Sequence, residues 1–175
     1  MKEIVFADGC FWGVQHFFSC VEGVTDTTAG YANGHTPSPT YETVCKGDSG
    51  YAEAVRVRYR EDRVSLSDLL SYFFHIYEPR EAGPLGPDNS TQYRAGLYYI
   101  DDEDRPVLEA ARREQEKTAG FPLDLELAAL RVFVPAEDDH QQYLVKNPGG
   151  FCHVPLEAMA WVKRMSAEKV KSTES

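Results

Sequence analysis

Residues 8–13 (DGCFWG) contain the side chain best suited to nucleophilic chemistry, the thiol of Cys10. Residues 3–7 before it form a short apolar run that is typical of a buried strand. The apolar residues after it recur at helical spacing, namely Val14, Phe17, Phe18 and Val21. Cys10 is therefore predicted at a strand-to-helix turn, where free N–H groups and the helix dipole stabilise a thiolate and lower its pKa. The pattern favours a reactive thiol, and the alternative is a buried structural cysteine.

Glu53 is a candidate acid because of its place in a strand. Over residues 51–60, Val55, Val57 and Tyr59 alternate with three arginines, the period expected of a half-buried strand. Extending this alternation backward places Glu53 on the apolar face. A carboxyl held among apolar groups has a raised pKa and can carry a proton near neutral pH. In the alternative, the strand has already frayed at Glu53 and its side chain faces water. The sequence pattern does not decide between the buried and the exposed placement of Glu53.

Further residues with chemical potential lie beside turns. Tyr41 follows a proline-containing loop that could aim its phenol, although packing is the alternative. Asp88 and Tyr93 precede a strand and can face one site, but turns also recruit Asp for local hydrogen bonds. Cys152 follows Gly149 and Gly150, which would let it move towards a second thiol. Two other cysteines are interpreted as structural thiols, and the second of them as semi-buried: Cys20 and Cys45.

The order of predicted elements indicates the fold class. Strands and helices alternate irregularly, which favours an α+β sandwich with a mixed or antiparallel sheet covered by helices. Ser65 and Asp68 are predicted to cap a helix, residues 125–134 to form one strand, and residues 137–144 a short helix with His140 exposed or capping. We expect a single catalytic domain over residues 1–165 and a disordered tail over 166–175.

Composition excludes several classes of protein. The 175 residues carry a formal charge of −10, and the lysines and arginines do not cluster, which argues against nucleic acid or an anionic membrane as partner. The sequence shows neither an apolar leader of signal-peptide length nor a run of 18 apolar residues, so we expect a cytoplasmic protein. Four cysteines without a Cys-x-x-Cys pair do not predict a disulfide scaffold or a zinc site.

Several motifs together resemble one known family, the A-type peptide methionine sulfoxide reductases. They run in the family's order from residue 9 to about residue 152, and such consistent spacing makes the match specific. The matching segments are residues 9–13 (GCFWG), 30–31 (GY), 39–41 (PTY), 47–50 (GDSG), 52–55 (AEAV), 91–94 (TQYR), 136–138 (AED), 140–144 (HQQYL) and 146–148 (KNP).

The resemblance implies a two-layer sandwich related to the ferredoxin-like fold and a defined reaction. This is the reduction of the S epimer of methionine sulfoxide, free or in proteins, back to methionine, which repairs oxidised proteins. Cys10 would be the nucleophile and Cys152 the resolving cysteine. Phe11 and Trp12 would hold the substrate methyl group. The sulfoxide itself would be surrounded by Tyr41, Glu53, Asp88 and Tyr93.

The chemistry expected from the residues agrees with this resemblance. Attack by a thiolate on the sulfoxide sulfur becomes easier when an acid such as Glu53 protonates the oxygen. Cys10 would become a sulfenic acid and then form a disulfide with Cys152. No cysteine follows Cys152, so the resemblance implies that thioredoxin reduces this disulfide directly. We expect neither metal nor cofactor, and a monomer.

Some positions depart from the family's pattern. Tyr51 stands where the family usually has His, and Ser90 where it usually has Gly, which could alter the hydrogen bonding of Glu53 and Asp88. Residues 83–87 (GPLGP) also differ from the usual loop. The rival functions are a thiol peroxidase, which also cycles through a sulfenic acid, and a non-enzymatic cysteine-containing binding or metal-storage protein.

Overall fold

The computed structural model describes residues 1–88, 91–150 and 152–174. Six strands and six α-helices occur among them, with two 3₁₀ turns at Asp102–Asp104 and Asp138–His140. In chain order the elements are β1 (Lys2–Ala7), α1 (Phe11–Ser19), β2 (Val24–Ala32), α2 (Tyr41–Cys45), β3 (Ala52–Tyr59), α3 (Leu66–Ile76), β4 (Gly96–Tyr99), α4 (Arg105–Ala119), β5 (Glu126–Ala129), β6 (Phe133–Pro135), α5 (Tyr143–Lys146) and α6 (Leu156–Glu174).

The strands form one mixed sheet in the order β5-β4-β1-β3-β2-β6. All neighbours are antiparallel except β4 and β5, which are parallel. The predicted α+β class with a mixed sheet covered by helices is thereby confirmed. The predicted relation to the ferredoxin-like fold stays a prediction.

The prediction of one strand over residues 125–134 is wrong, because this segment forms β5 and β6 at opposite edges of the sheet. In a flat sheet these edges would be five strand spacings apart, roughly 24 Å. The four Cα steps that join Ala129 to Phe133 reach at most about 15 Å. The sheet must therefore curl until its edges approach. Asn33 joins them, since its side-chain amide donates to Ala129 O at 2.9 Å and accepts from Arg131 N at 2.7 Å.

The two faces of the curled sheet are filled differently. The outer face packs against α1, α3 and α6 through large apolar side chains, including Phe6, Phe17, Phe18, Val55, Leu69 and Phe73. The inner face is filled by small residues around one ring: Val5, Ala7, Ala32, Ala52, Ala54 and Tyr98. Small side chains on the concave face are what close curvature of the sheet requires.

Local capping signals set several helix ends. Ser65 Oγ accepts from Asp68 N, and the Asp68 carboxylate accepts from Ser65 N in return, which confirms the predicted capping box of α3. Gly120 ends α4 in a left-handed conformation with φ of 85°.

Helix α6 continues to Glu174 over the residues predicted as a disordered tail. Val170 is buried, and Ser166 is 1% exposed with its Oγ accepting from Glu22 N at 2.9 Å. These contacts offset the entropy of ordering the segment, so the chain stays helical where its lysine-rich composition suggested a tail. Residue 175 lies outside the described residues.

Within residues 1–88, 91–150 and 152–174, no helix has the length and apolar character needed to cross a membrane. A cytoplasmic location and a monomeric state stay predictions.

Candidate active site

The sheet topology gathers the candidate residues at one end of the sheet. Strand β1 runs antiparallel to β3 and β4, with Phe6 opposite Val55 and Ala7 opposite Gly96. The end of β1 therefore meets the beginnings of β3 and β4. Cys10, Glu53 and Tyr93 lie next to these three strand ends, which explains how residues forty or more positions apart in the sequence share a site.

Cys10 is the N-cap of α1, as the sequence predicted, and its thiol interacts with the backbone N–H groups of Trp12 and Gly13. The predicted fall in its pKa is wrong. Burial is the main cause that raises the pKa of the Cys10 thiol to about 11, negative charge at Glu53 and Cys152 adds to the rise, and the two N–H groups only partly oppose it. The helix N-terminus thus stabilises a thiolate whose surroundings otherwise disfavour it.

Glu53 is fully buried, at 0% exposure, so the predicted burial is confirmed and the frayed alternative is wrong. Its Oε2 accepts from Gln92 Nε2 at 2.8 Å, and its Oε1 faces Phe11 N at 3.4 Å. Burial raises the pKa of the carboxyl, while hydrogen bonds from Gln92, Phe11 and Tyr93 partly oppose this rise. The arrangement places a carboxyl with raised proton affinity beside the first peptide of α1.

Aromatic side chains form one wall of the site. Phe11 is fully buried and lies 5.7 Å from Tyr31 between ring centroids. Trp12 is half-buried and stacks on Tyr143 at 3.8 Å. Tyr41 stacks near Trp12 at 6.2 Å. Phe11 is thus the buried part of this aromatic wall, and Trp12 is its more accessible part. Such an apolar surface suits a methyl-bearing group.

His140 completes this wall, so its prediction as an exposed or capping residue is wrong. Its ring lies 4.2 Å from that of Tyr41, and its Nδ1 accepts from Trp12 Nε1 at 3.2 Å. Local spacing in the sequence does not reveal His140 and Tyr143, because their partners Tyr41 and Trp12 are about a hundred or more residues away. The segment 140–144 (HQQYL) gave the signal that could have found them, since it belongs to the motifs quoted above.

Side-chain amides hold this histidine segment against β2. Gln141 Oε1 accepts from Ala29 N at 2.9 Å while its Nε2 donates to Ala29 O at 2.8 Å, which reproduces the pairing of a strand. The Glu137 carboxylate accepts from Tyr31 Oη at 2.9 Å and from Tyr41 N at 3.2 Å. The sheet therefore fixes the aromatic wall through polar contacts rather than through the rings alone.

Tyr41 and Tyr93 bring two phenols to the mouth of the site. Burial raises the pKa of each phenol, and the charge of Glu53 raises both further. Both therefore stay protonated and can donate hydrogen bonds. Cys45 lies beside them, with Gln92 Nε2 donating to its Sγ at 3.5 Å. Cys45 is exposed at the end of α2, so the prediction of a semi-buried thiol is wrong.

Two further positions that the sequence singled out are Asp88 and Tyr51. Asp88 is exposed, and its backbone N donates to Asp124 Oδ1 at 2.9 Å. Its predicted contact with the sulfoxide stays a prediction, and Ser90 lies outside the described residues. Tyr51 is buried with its phenol donating to Thr36 O at 2.6 Å, which directs that hydroxyl towards the neighbouring loop.

Cys152 lies close to residues 9–13, the nucleophile turn that carries Cys10. Its Sγ would be 3.2 Å from a Cβ placed at Gly13, and a negative charge on Cys152 would raise the pKa of the Cys10 thiol. The Cys152 thiol donates to Val154 O at 3.1 Å, and burial raises its pKa. Two free thiols thus share one end of the site, and the role of Cys152 as the partner of Cys10 stays a prediction.

The comparisons with known proteins identify the family. The profile described as Peptide methionine sulfoxide reductase matches residues 2–172. The chain belongs to this family. A relative named Peptide methionine sulfoxide reductase MsrA from Clostridium acetobutylicum is 46% identical over 160 residues, covering 91% of this chain and 98% of the relative.

Solved structures agree with the fold of this reductase. Mxr1 from Saccharomyces cerevisiae in reduced form is similar with a TM-score of 0.77 and 36% identity, over 86% of this chain and 88% of that chain. Methionine sulfoxide reductase A of Corynebacterium diphtheriae is similar with a TM-score of 0.75 and 32% identity, over 87% and 77% of the two chains. This reductase is accordingly an oxidoreductase of the MsrA type, as the sequence predicted.

Proposed function

We propose that this reductase converts the S epimer of methionine sulfoxide, free or in proteins, to methionine, with Cys10 as nucleophile and Glu53 as proton donor. The observation that carries the proposal is the fully buried Glu53 carboxyl, hydrogen-bonded at the start of the helix that Cys10 caps. A sulfoxide presents a methyl group and a basic oxygen. The aromatic wall suits the methyl group, and the carboxyl with the two phenols suits the oxygen.

In the first step the Cys10 thiolate attacks the substrate sulfur while Glu53 protonates the oxygen. The attack forms a transient bond between Cys10 Sγ and the substrate sulfur. This bond and the sulfur–oxygen bond of the substrate then break as the hydroxyl moves to Sγ, so methionine leaves and Cys10 becomes a sulfenic acid. A protonated Glu53 favours this step twice, because it supplies the proton and removes the charge that raises the Cys10 pKa. The N–H groups of Trp12 and Gly13 stabilise the attacking thiolate.

In the second step Cys152 attacks the Cys10 sulfenic acid. A disulfide forms, the sulfur–oxygen bond breaks, and the hydroxide leaves as water with the proton of the Cys152 thiol. A dithiol must then reduce the disulfide, and thioredoxin in the cytoplasm is the proposed partner. Protein repair after oxidation is the proposed role, without metal or organic cofactor.

An assay of the two separate sulfoxide epimers with dithiothreitol tests the substrate. We expect turnover of the S epimer alone. Only one configuration at the chiral sulfur can place the methyl group against Trp12 and the oxygen against Glu53 at the same time. Equal turnover of both epimers would contradict the proposal. Faster turnover of hydrogen peroxide than of the sulfoxide would indicate the thiol peroxidase instead.

The two proposed cysteine roles are separated by single-turnover release of methionine. The Cys10→Ser variant should release no methionine, since the serine hydroxyl cannot replace the attacking thiolate. Cys152→Ser should release about one methionine per enzyme, as the stoichiometry of the first step requires, and then stall with thioredoxin, with sulfenic acid on Cys10 by mass spectrometry. Methionine release by Cys10→Ser would refute the assignment of the nucleophile.

A further inference from the structure

Two glycines on either side of Cys10 leave a recess on the surface of the nucleophile turn. Gly9 precedes the cysteine with φ of 77°, and Gly13 lies in the first turn of α1. The ring of His153 occupies this recess. A Cβ at Gly9 would be 3.3 Å from His153 Nε2, and a Cβ at Gly13 would be 3.3 Å from His153 Nδ1. A Cβ at either position would press on the imidazole, so glycine at both positions lets the ring approach the turn closely.

The neighbours of His153 dock on the same turn. Cys152 Sγ and Val154 Cγ2 would each be 3.2 Å from a Cβ at Gly13. Val154 is 3% exposed and belongs to the main core. Three consecutive side chains thus contact one short turn, although the outer part of His153 is exposed to solvent.

The C-terminal side of Cys152 is anchored, since His153 and Val154 both dock on the nucleophile turn. These two neighbours therefore help to place the Cys152 thiol. A disulfide tolerates a narrow range of Cα separations, about 4.4 to 6.8 Å, so a small displacement of this segment prevents bond formation.

We propose that His153 is a positioning residue for the second half of the reaction, because its ring seated against Gly9 and Gly13 holds the Cys152 thiol beside Cys10. This inference rests on the proposed roles of the two cysteines. It assigns no proton transfer to the imidazole. The Cys152 thiol must rotate away from Val154 O to attack the sulfenic acid, and the seated ring keeps that rotation short.

His153→Ala should slow resolution without slowing chemistry on the substrate. Rapid mixing of the parent or variant enzyme with methionine S-sulfoxide, followed by acid quenching, measures methionine release and disulfide formation separately. We expect methionine release within twofold of the parent and disulfide formation at least tenfold slower, as loss of a positioned neighbour predicts. His75→Ala is the matched control, since His75 and His153 line one surface cavity but His75 stacks on Trp161.

His153→Phe separates the seated ring from any chemistry of the imidazole. It keeps a planar ring, so disulfide formation should stay within about threefold of the parent, well above the Ala variant. Disulfide formation at the parent rate in His153→Ala, or as slow in His153→Phe as in His153→Ala, would overturn the inference. Equal slowing of methionine release and disulfide formation would also overturn it. A parent enzyme that forms no bond between Cys10 and Cys152 would instead refute the proposed function.

Discussion

Glu53 joins the strand pattern of the sequence to the chemistry of the site. Its carboxyl is buried and accepts from Gln92, so replacing it with an amide keeps the shape but removes the transferable proton. Glu53→Gln should slow methionine release in a single turnover by roughly 10²- to 10⁴-fold, the usual effect of losing a general acid. Glu42→Gln, at an exposed position on α2, is the control. A rate within about threefold of the parent would leave Glu53 with a structural role only.

The same substitution should change how Cys10 titrates. The charge of Glu53 contributes to raising the pKa of the thiol to about 11. Removing that charge should lower the pKa, so alkylation of Cys10 by iodoacetamide should increase at a lower pH in Glu53→Gln than in the parent. Peptide mapping resolves Cys10 from the other thiols. An unchanged or higher pH midpoint would show that the carboxyl is not charged near the thiol.

Sequence reasoning at this scale succeeded where a residue's surroundings follow from its own element. The period of β3 places Glu53 inside, and the strand-to-helix turn places Cys10 at a helix N-terminus. The Cys10 pKa was mispredicted because position at a helix N-terminus accounts for the N–H groups alone. It does not account for the burial and the charge that tertiary packing adds. His140 was missed because Trp12 and Tyr41 reach it only after the sheet has formed.

Strand β6 links the sheet to the aromatic wall, and its position depends on Gly30. A Cβ at Gly30 would lie 2.4 Å from Phe133 Cζ and 2.6 Å from Val134 O. Gly30→Ala should therefore push β6 away from β2, lowering the free energy of unfolding by about 1 to 3 kcal/mol. KM should rise, because β6 leads directly into the segment that carries His140. Urea unfolding and steady-state kinetics measure the two effects.

Gly83→Ala is the control for this prediction, since nothing lies within 4 Å of its Cβ position. A Gly30 variant as stable as Gly83→Ala would show that β6 adapts without cost. The division of residues 125–134 into two strands could not be predicted, because the segment stays mostly apolar across the link. Crossing from one sheet edge to the other is set by curvature, which local periodicity does not encode.

The stability of the whole molecule should depend on the protonation of Asp8. Burial raises the pKa of its carboxyl from its usual value to about 7, with Arg80 opposing the shift. The folded protein therefore binds this proton more tightly than the unfolded chain, and the contribution of Asp8 falls as pH rises from about 4 to 7. A shift of about 3 pKa units corresponds to as much as about 4 kcal/mol.

Asp8→Asn removes this titration, so its stability relative to the parent should increase between pH 4 and pH 7. Chemical unfolding at several pH values measures the difference, with Asp48→Asn at an exposed carboxyl for comparison. A constant difference between Asp8→Asn and the parent over this range would show that the Asp8 pKa is not raised.

The pairing of distant strands has a consequence for the newly made chain. Lys2 pairs with Tyr59 and Ile4 with Tyr99, so the sheet closes large loops and forms late. Cys10 leaves the ribosome more than a hundred residues before Cys152, an interval on the order of 10 s at typical rates of synthesis. During that interval its thiol has neither the burial that suppresses ionisation nor the second thiol that would rescue a sulfenic acid. Synthesis is therefore the stage at which oxidants can carry Cys10 to its irreversible oxidation states.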